Sequence, residues 1–328
     1  MDKKAFEIQF NWIFVLVAGT AILLFFALVV AKQKSISETS TKATILKSLN
    51  SIITGTGVST DTINIINIPD SEIEVGCSRI SLGGVSKQYQ NLVLFAPSML
   101  KGDKLITQTT AFSAPYRATN LLYMTSPQAR YILVGSSSLA YDINKSLPGD
   151  INKEFYQSLP EIKNENNYKV RFVVFGDMVG FPKALQKMPD SDVTAVKVNG
   201  NSEKGTVEFW QKNGNSWAPK GSSAYIGKQS LIGAVYTDAS EAYECNMQNA
   251  FSRLNMVTKI YMGKTRELAQ RAAAQCSQFY ANALSHLNSI FAASSGFNRG
   301  NVDTLADSAK SLDSDNTNAR LYSCPFIY

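Results

Sequence analysis

Between Trp12 and Ala31 the chain carries no charged side chain and nothing more polar than Thr20. A run of that length predicts one helix, because at about 1.5 Å per residue it covers the roughly 30 Å of a bilayer's hydrocarbon core while satisfying its own backbone. Trp12, Phe14, Leu16, Leu23, Phe25 and Val29 are the expected lipid-facing anchors, with Trp12 at one interface and Lys32 and Lys34 at the other. The apolar run is longer than a signal-peptide core, and Ala31-Lys32-Gln33 lacks the small-residue cleavage pattern, which favours a retained signal anchor. Past residue 34 the pattern becomes periodic: Ile45, Leu46, Leu49, Ile52 and Ile53 form one helical stripe, closed by Gly55 and Gly57. This stripe packs on the rest of the chain or, on a second reading, meets a sister chain.

From Thr62 the apolar period shortens to two. TINIINIP, SEIEVGCSRISL and QYQNLVLF read as short strands of an antiparallel unit, separated by Pro-Asp and Gly-Gly turns. Two strand-then-helix runs follow, RYILVG with SSSLAYDINKSL and YKVRFVVFG with DMVGFPKALQKM, and these predict parallel pairing. VTAVKVNG and GTVEFWQK form a hairpin, and SLIGAVYTD reads as a further strand. Asp238 to Glu241 has the form of a capping box. After it, Tyr243, Met247, Ala250, Leu254, Val257 and Tyr261 make a helical seam that loses register at Gly263, and a second stripe runs through Leu268, Ala272, Cys276, Phe279, Ala283, Leu287 and Ile290. The fold class expected is therefore α/β, a mixed-sheet head with a long C-terminal helix or helical hairpin behind an N-terminal single transmembrane helix. Its divisions are 1–34 (anchor), 35–57 (stalk helix), 58–238 (head), 239–295 (helix or hairpin) and 296–328 (loop and packed tail).

Composition refines this picture. With 45% hydrophobic and only 18% charged residues the chain is a folding sequence and not a disordered one. The net charge of +6 is too dispersed for a nucleic-acid footprint: outside the first 34 residues, 28 basic residues face 24 acidic ones. No nucleic-acid partner is expected; the bilayer is, together with a second copy or another envelope protein. Lys32, Lys34, Lys42 and Lys47 after the span outnumber Lys3 and Lys4 before it, a count that taken alone favours a cytoplasmic head. Because long domains translocate largely regardless of charge, a cytoplasmic N-terminus with an outer head is the orientation adopted.

Candidate chemistry is sparse. Cys77, Cys245, Cys276 and Cys324 show no metal-ligand spacing; outside the cytoplasm they would pair, in one of three ways, a helical hairpin bringing Cys245 level with Cys276, or Cys324 instead tethering the C-terminal tail to either helix. Four reduced, buried thiols are the other reading. The single histidine, His286, falls on the polar face with Asn282 and Ser289, so a triad is not expected. No cofactor or metal is expected. Gly135, Ser136 and Ser137 after one strand, and Gly176 and Asp177 after the next, occupy the turns where open α/β sheets hold ligands; Ser and Gly there also serve as ordinary caps. Asn144-Lys145-Ser146 is a formal glycosylation sequon.

The opening KKAFEIQFNWIFVLVAGTAILLFF, the runs SAPYRATNLLYMTSP and EAYECNMQNAF and the ending SCPFIY together resemble membrane-anchored archaeal proteins with no established activity; the resemblance implies an anchor and an α/β head. The N-terminus is also distantly similar to archaeal type IV pilins, with Lys3-Lys4-Ala5 in the place of their processing site, although Ala5 stands where Gly is usual and Glu7 falls early. The function expected is a single-pass, cell-surface protein with a structural or partner-binding head and no evident catalysis. The alternatives are a pilin-like filament subunit and a membrane-tethered ligand-binding or enzymatic domain.

Overall fold

The structure, a computed structural model, describes residues 3–56, 59–89, 92–271 and 273–328. Gly57 of the expected helix stop and Ala272 of the second helical stripe lie outside the described residues, as do the side chains of Lys3, Lys4, Ala5, Glu7, Lys34 and Ile52.

The apolar run and the periodic stripe after it form one continuous helix, α1 (Lys3–Thr56), of 54 residues. Its two halves behave differently. Within Phe14–Gln33 none of the helix is buried by the protein, and the apolar side chains stand open: Leu23 is 72% exposed and Phe25 63%. In the second half Leu46, Leu49 and Ile53 are buried, packed with Ile73, Ile80, Leu100, Leu105, Leu122 and Met124. The amphipathic stripe thus belongs to the chain's own core, as the intrachain reading expects.

What α1 covers is a six-stranded sheet in the order β3-β2-β1-β5-β6-β4, made of β1 (Ile63–Gly76), β2 (Arg79–Leu82), β3 (Val85–Gln88), β4 (Leu94–Phe95), β5 (Met99–Ser113) and β6 (Arg117–Thr125). It is antiparallel except where β4 joins β6. The two-residue period divides β6 between two cores: Leu122 and Met124 face α1, whereas Leu121 and Tyr123 face the centre of the head. A second six-stranded sheet has the order β12-β11-β10-β9-β7-β8, from β7 (Ala129–Val134), β8 (Asn152–Tyr156), β9 (Lys169–Phe175), β10 (Val193–Gly200), β11 (Lys204–Asn213) and β12 (Ser216–Ile226). Strands β8, β7, β9 and β10 are mutually parallel, and β10, β11 and β12 are antiparallel. Helix α2 (Ser138–Ser146) connects β7 to β8. Four helices complete the head: α3 (Gly227–Tyr236), α4 (Ser240–Arg271), α5 (Ala274–Ala293) and α6 (Arg299–Leu321). Helices α3 and α4 touch strands of both sheets. Mixed sheets with long C-terminal helices and an N-terminal apolar helix are the architecture the patterning predicts.

Several local expectations are overturned. SLIGAVYTD is helix α3, buried on every side from Ser230 to Tyr236, so no amphipathic period distinguishes it from a buried strand. DMVGFPKALQKM forms only a single 3-10 turn, Lys183–Leu185, after Pro182. Helix α4 runs straight through Gly263, where a side chain would meet nothing within 4 Å, and ends at Arg271, so the hairpin turn comes later than the glycine suggests. The stretch 296–328 is mostly helix: Asn298 accepts from the Asn301 amide as N-cap of α6, and Val302, Leu305, Ala309, Leu312 and Ala319 make a buried stripe within a Ser/Asp/Asn-rich composition that reads as loop.

All four cysteines pair. Cys77–Cys245 joins the β1–β2 turn to the first turns of α4 with Cα atoms 6.0 Å apart, and Cys276–Cys324 joins the start of α5 to the C-terminal tail at 5.9 Å. The pairing of Cys245 with Cys276 does not form. The disulfides close separations of 168 and 48 residues, and each contributes roughly 2–5 kcal/mol by restricting the unfolded chain.

The division of α1 predicts a contrast. Leu49→Ala removes a side chain that is 1% exposed and costs about 2–5 kcal/mol. Phe25→Ala leaves head stability unchanged. Urea unfolding of the full chain in detergent, followed by near-ultraviolet circular dichroism, measures both.

Candidate functional site

The head has two regions of note, one of which carries the turn residues singled out in the sequence, and their relative placement follows from chain direction. Strand β1 runs back along the packed half of α1, with Ile66–Pro69 opposite Thr44, Ile45 and Leu49. Strand β5 reverses again. Its start lies beside the start of β9, through Tyr168 and Lys169, and its end at Ser113 lies beside Glu203 in the β10–β11 turn. The parallel strands β7 and β9 therefore run in the same general sense as α1. Their carboxyl ends, bearing Gly135 and Gly176, lie at the end of the head away from the apolar helix.

At that far end β7 and β9 are neighbours, and the chain leaves them on opposite faces. After β7 it enters α2, whose Leu139 and Ile143 join the central core; after β9 it passes through residues 176–188, whose Met178, Phe181, Leu185 and Met188 cover the other face. This divergence is the topological switch point at which open sheets form a crevice. Gly135 is buried at φ +155°, and a Cβ there would lie 2.7 Å from the Cβ of Phe175, so only glycine lets the two turns close together. Ser136 and Ser137 are exposed, and the Ser137 hydroxyl accepts from the Ala140 amide at 3.2 Å as the N-cap of α2. Gly176 and Asp177 are exposed in the adjacent turn. The structure thus brings the five predicted residues to one rim, with Ser137 occupied as a cap. Beside this rim a cleft of about 460 Å³ opens between Leu159–Ile162 and Val179–Ala184. Trp217 holds its wall, donating from Nε1 to the Val179 carbonyl at 3.0 Å and meeting the Phe181 ring edge-on at 5.1 Å.

At the opposite end, nearer the apolar helix, lies a buried charge cluster that neither motif nor spacing singles out. Lys169 and Asp238 form an ion pair with side chains 4% and 7% exposed. Asp238 also accepts from the Ser98 amide at 2.9 Å and the Ser98 hydroxyl at 2.8 Å, and is therefore not the capping-box residue its sequence suggests. Burial pushes its carboxyl up, but the Coulombic pull and hydrogen bond of Lys169, aided by Arg171 and Ser98, outweigh burial and leave it below the usual carboxylate range. Arg171, two residues along β9 on the same face, donates from Nε to the Val235 carbonyl at 3.1 Å and from Nη2 to those of Ala234, at 2.8 Å, and Thr237. It closes the carboxyl end of α3 with a positive charge, where the helix dipole favours one. Burial pulls the guanidinium down to about 10, which leaves it charged at neutral pH. The only sequence signal was the alternation of Lys169 and Arg171 in the otherwise apolar run YKVRFVVFG.

His286 is one-third exposed and places Nε2 3.5 Å from the Asp315 carboxylate on α6, a partner the sequence does not show. Among the described residues no group of three or more His, Cys, Asp or Glu gathers as a metal set. No protein family matches the chain, and neither curated proteins nor solved structures give a match.

The cluster predicts a pH response. Because the folded-state pKa of Asp238 is depressed, its stabilisation is full above the ordinary carboxylate value near 4 and fades as pH falls through the lower folded value. Asp238→Asn strands the Lys169 charge and costs about 3–5 kcal/mol at neutral pH. Thermal melts of the full chain between pH 2 and 7 should show that penalty shrinking below pH 4.

Proposed function

We propose that the chain is a single-pass membrane protein whose disulfide-bonded α/β head stands on the non-cytoplasmic side and serves in recognition or envelope structure. The observation that carries this reading is the division of α1: one helix whose apolar first half meets no part of the head while its second half is built into the core. An apolar surface of that length left uncovered is stable only in lipid or against other apolar helices. Removal as a signal peptide would sever a helix that continues without interruption into the packed stripe. Two disulfides using all four cysteines support the outer placement, since such bonds persist in oxidising compartments. Recognition is favoured over turnover because the far end presents exposed turns and an open cleft, while the buried Lys169–Asp238 ion pair lies away from it.

Filament assembly is the second reading. It is supported by the shape of α1, in which an apolar half projects and the other half lies on an antiparallel sheet, the arrangement by which pilin-like subunits join through their N-terminal helices.

Protease treatment of intact cells should digest the head, and the full chain should enter the soluble fraction only with detergent. A head protected until lysis overturns the orientation, and a detergent-independent soluble chain overturns the anchor. Filament assembly with pilin-type processing requires subunits beginning at Phe6; mass spectrometry finding Met1 or Asp2 at the N-terminus of assembled material excludes it.

A further inference from the structure

We propose that Asn144 is a glycosylation site, modified on its amide nitrogen by an oligosaccharide transferred from a lipid-linked phosphate donor. The inference rests on the outer placement of the head. Asn144-Lys145-Ser146 is the only Asn-x-Ser/Thr sequence in the 328 residues. The structure puts it at the carboxyl end of α2, a nine-residue helix on the surface of the second sheet. Asn144 is half-buried, and its backbone carbonyl accepts from Lys153 at 2.7 Å, but its side-chain amide has no hydrogen-bond partner among the described residues. Attaching a sugar there breaks no interaction of the folded head.

Three neighbouring features fit a glycan. Tyr141, at i−3 on the same helical face, leaves 38% of its surface exposed, and with the Phe155 ring 4.9 Å away it forms an aromatic shelf on which the apolar face of a pyranose can lie. Asp142 and Lys145 are exposed and leave the approach open. Helix α2 ends at Ser146, and Leu147 is already extended. A nine-residue helix is too short to persist before it docks, so the sequon is available to a transferase in extended form as the chain emerges, with the Ser146 hydroxyl free of its folded-state bond to the Asp142 carbonyl. In the transfer the bond between the sugar C1 and the donor's phosphate oxygen breaks, a bond from C1 to the Asn144 Nδ2 forms, and one amide proton leaves with the phosphate.

The test is peptide mass spectrometry on the full chain purified from its own membranes without reductant. The expected result is a saccharide mass increment on the peptide containing Asn144, lost completely in both Asn144→Gln and Ser146→Ala. Unmodified Asn144 in a chain with both disulfides intact overturns the inference and leaves the outer placement standing. Unmodified Asn144 together with four reduced cysteines overturns both.

Discussion

The head depends on how two charges are buried at the junction of its parts. Lys169 and Arg171 extend from the first residues of β9 into a centre that is otherwise apolar, where an uncompensated charge would cost several kcal/mol. Each is met by a different structure. Asp238, in the link between α3 and α4, takes Lys169 and reaches across to Ser98 at the start of β5; the carbonyls at the end of α3 take Arg171. One small cluster thereby sets the position of the second sheet, the first sheet, the end of one helix and the start of the next. Aromatic packing continues the link, with the Tyr123, Tyr236 and Tyr131 rings spaced 5.5 and 5.6 Å apart from the first sheet through α3 to the second. The hydrogen bonds within the cluster fix its geometry, and the rings add non-directional apolar burial.

Much of the architecture was legible because it is written in period. The switch from an unbroken apolar run to a helical stripe at Ile45, then to alternation at Thr62, marks the two halves of α1 and the first sheet. The seam from Tyr243 to Leu254 is buried as its spacing requires. The failures share a cause: they occur where periodicity is hidden. Helix α3 is buried all round, so its sequence has no polar face; α6 is so polar elsewhere that five buried positions are lost among Ser, Asp and Asn. Gly263 misleads because a glycine within a helix costs only about 1 kcal/mol, too little to end a helix whose neighbouring Met262 and Thr265 are buried.

The two candidate regions differ in the same way. The Gly135 and Gly176 turns could be found because strand-then-glycine is a local pattern. The Lys169, Asp238 and Ser98 cluster could not, since its members are separated by 69 and 140 residues and meet only when the sheets are assembled. Disulfide pairing is equally non-local: Cys245 and Cys276 are close in sequence and would be level in an idealised hairpin, yet Cys245 reaches to the β1–β2 turn and Cys276 to the tail.

The link from Cys77 to Cys245 has a consequence for how the head withstands cleavage. Any one scission of the backbone between these residues yields two pieces that stay covalently joined, and the piece carrying α1 keeps the rest tethered. About half the chain can thus be nicked once without being shed, provided the sulfur bridge is intact. Reduction of that bridge then separates the two pieces of a chain nicked once between these residues.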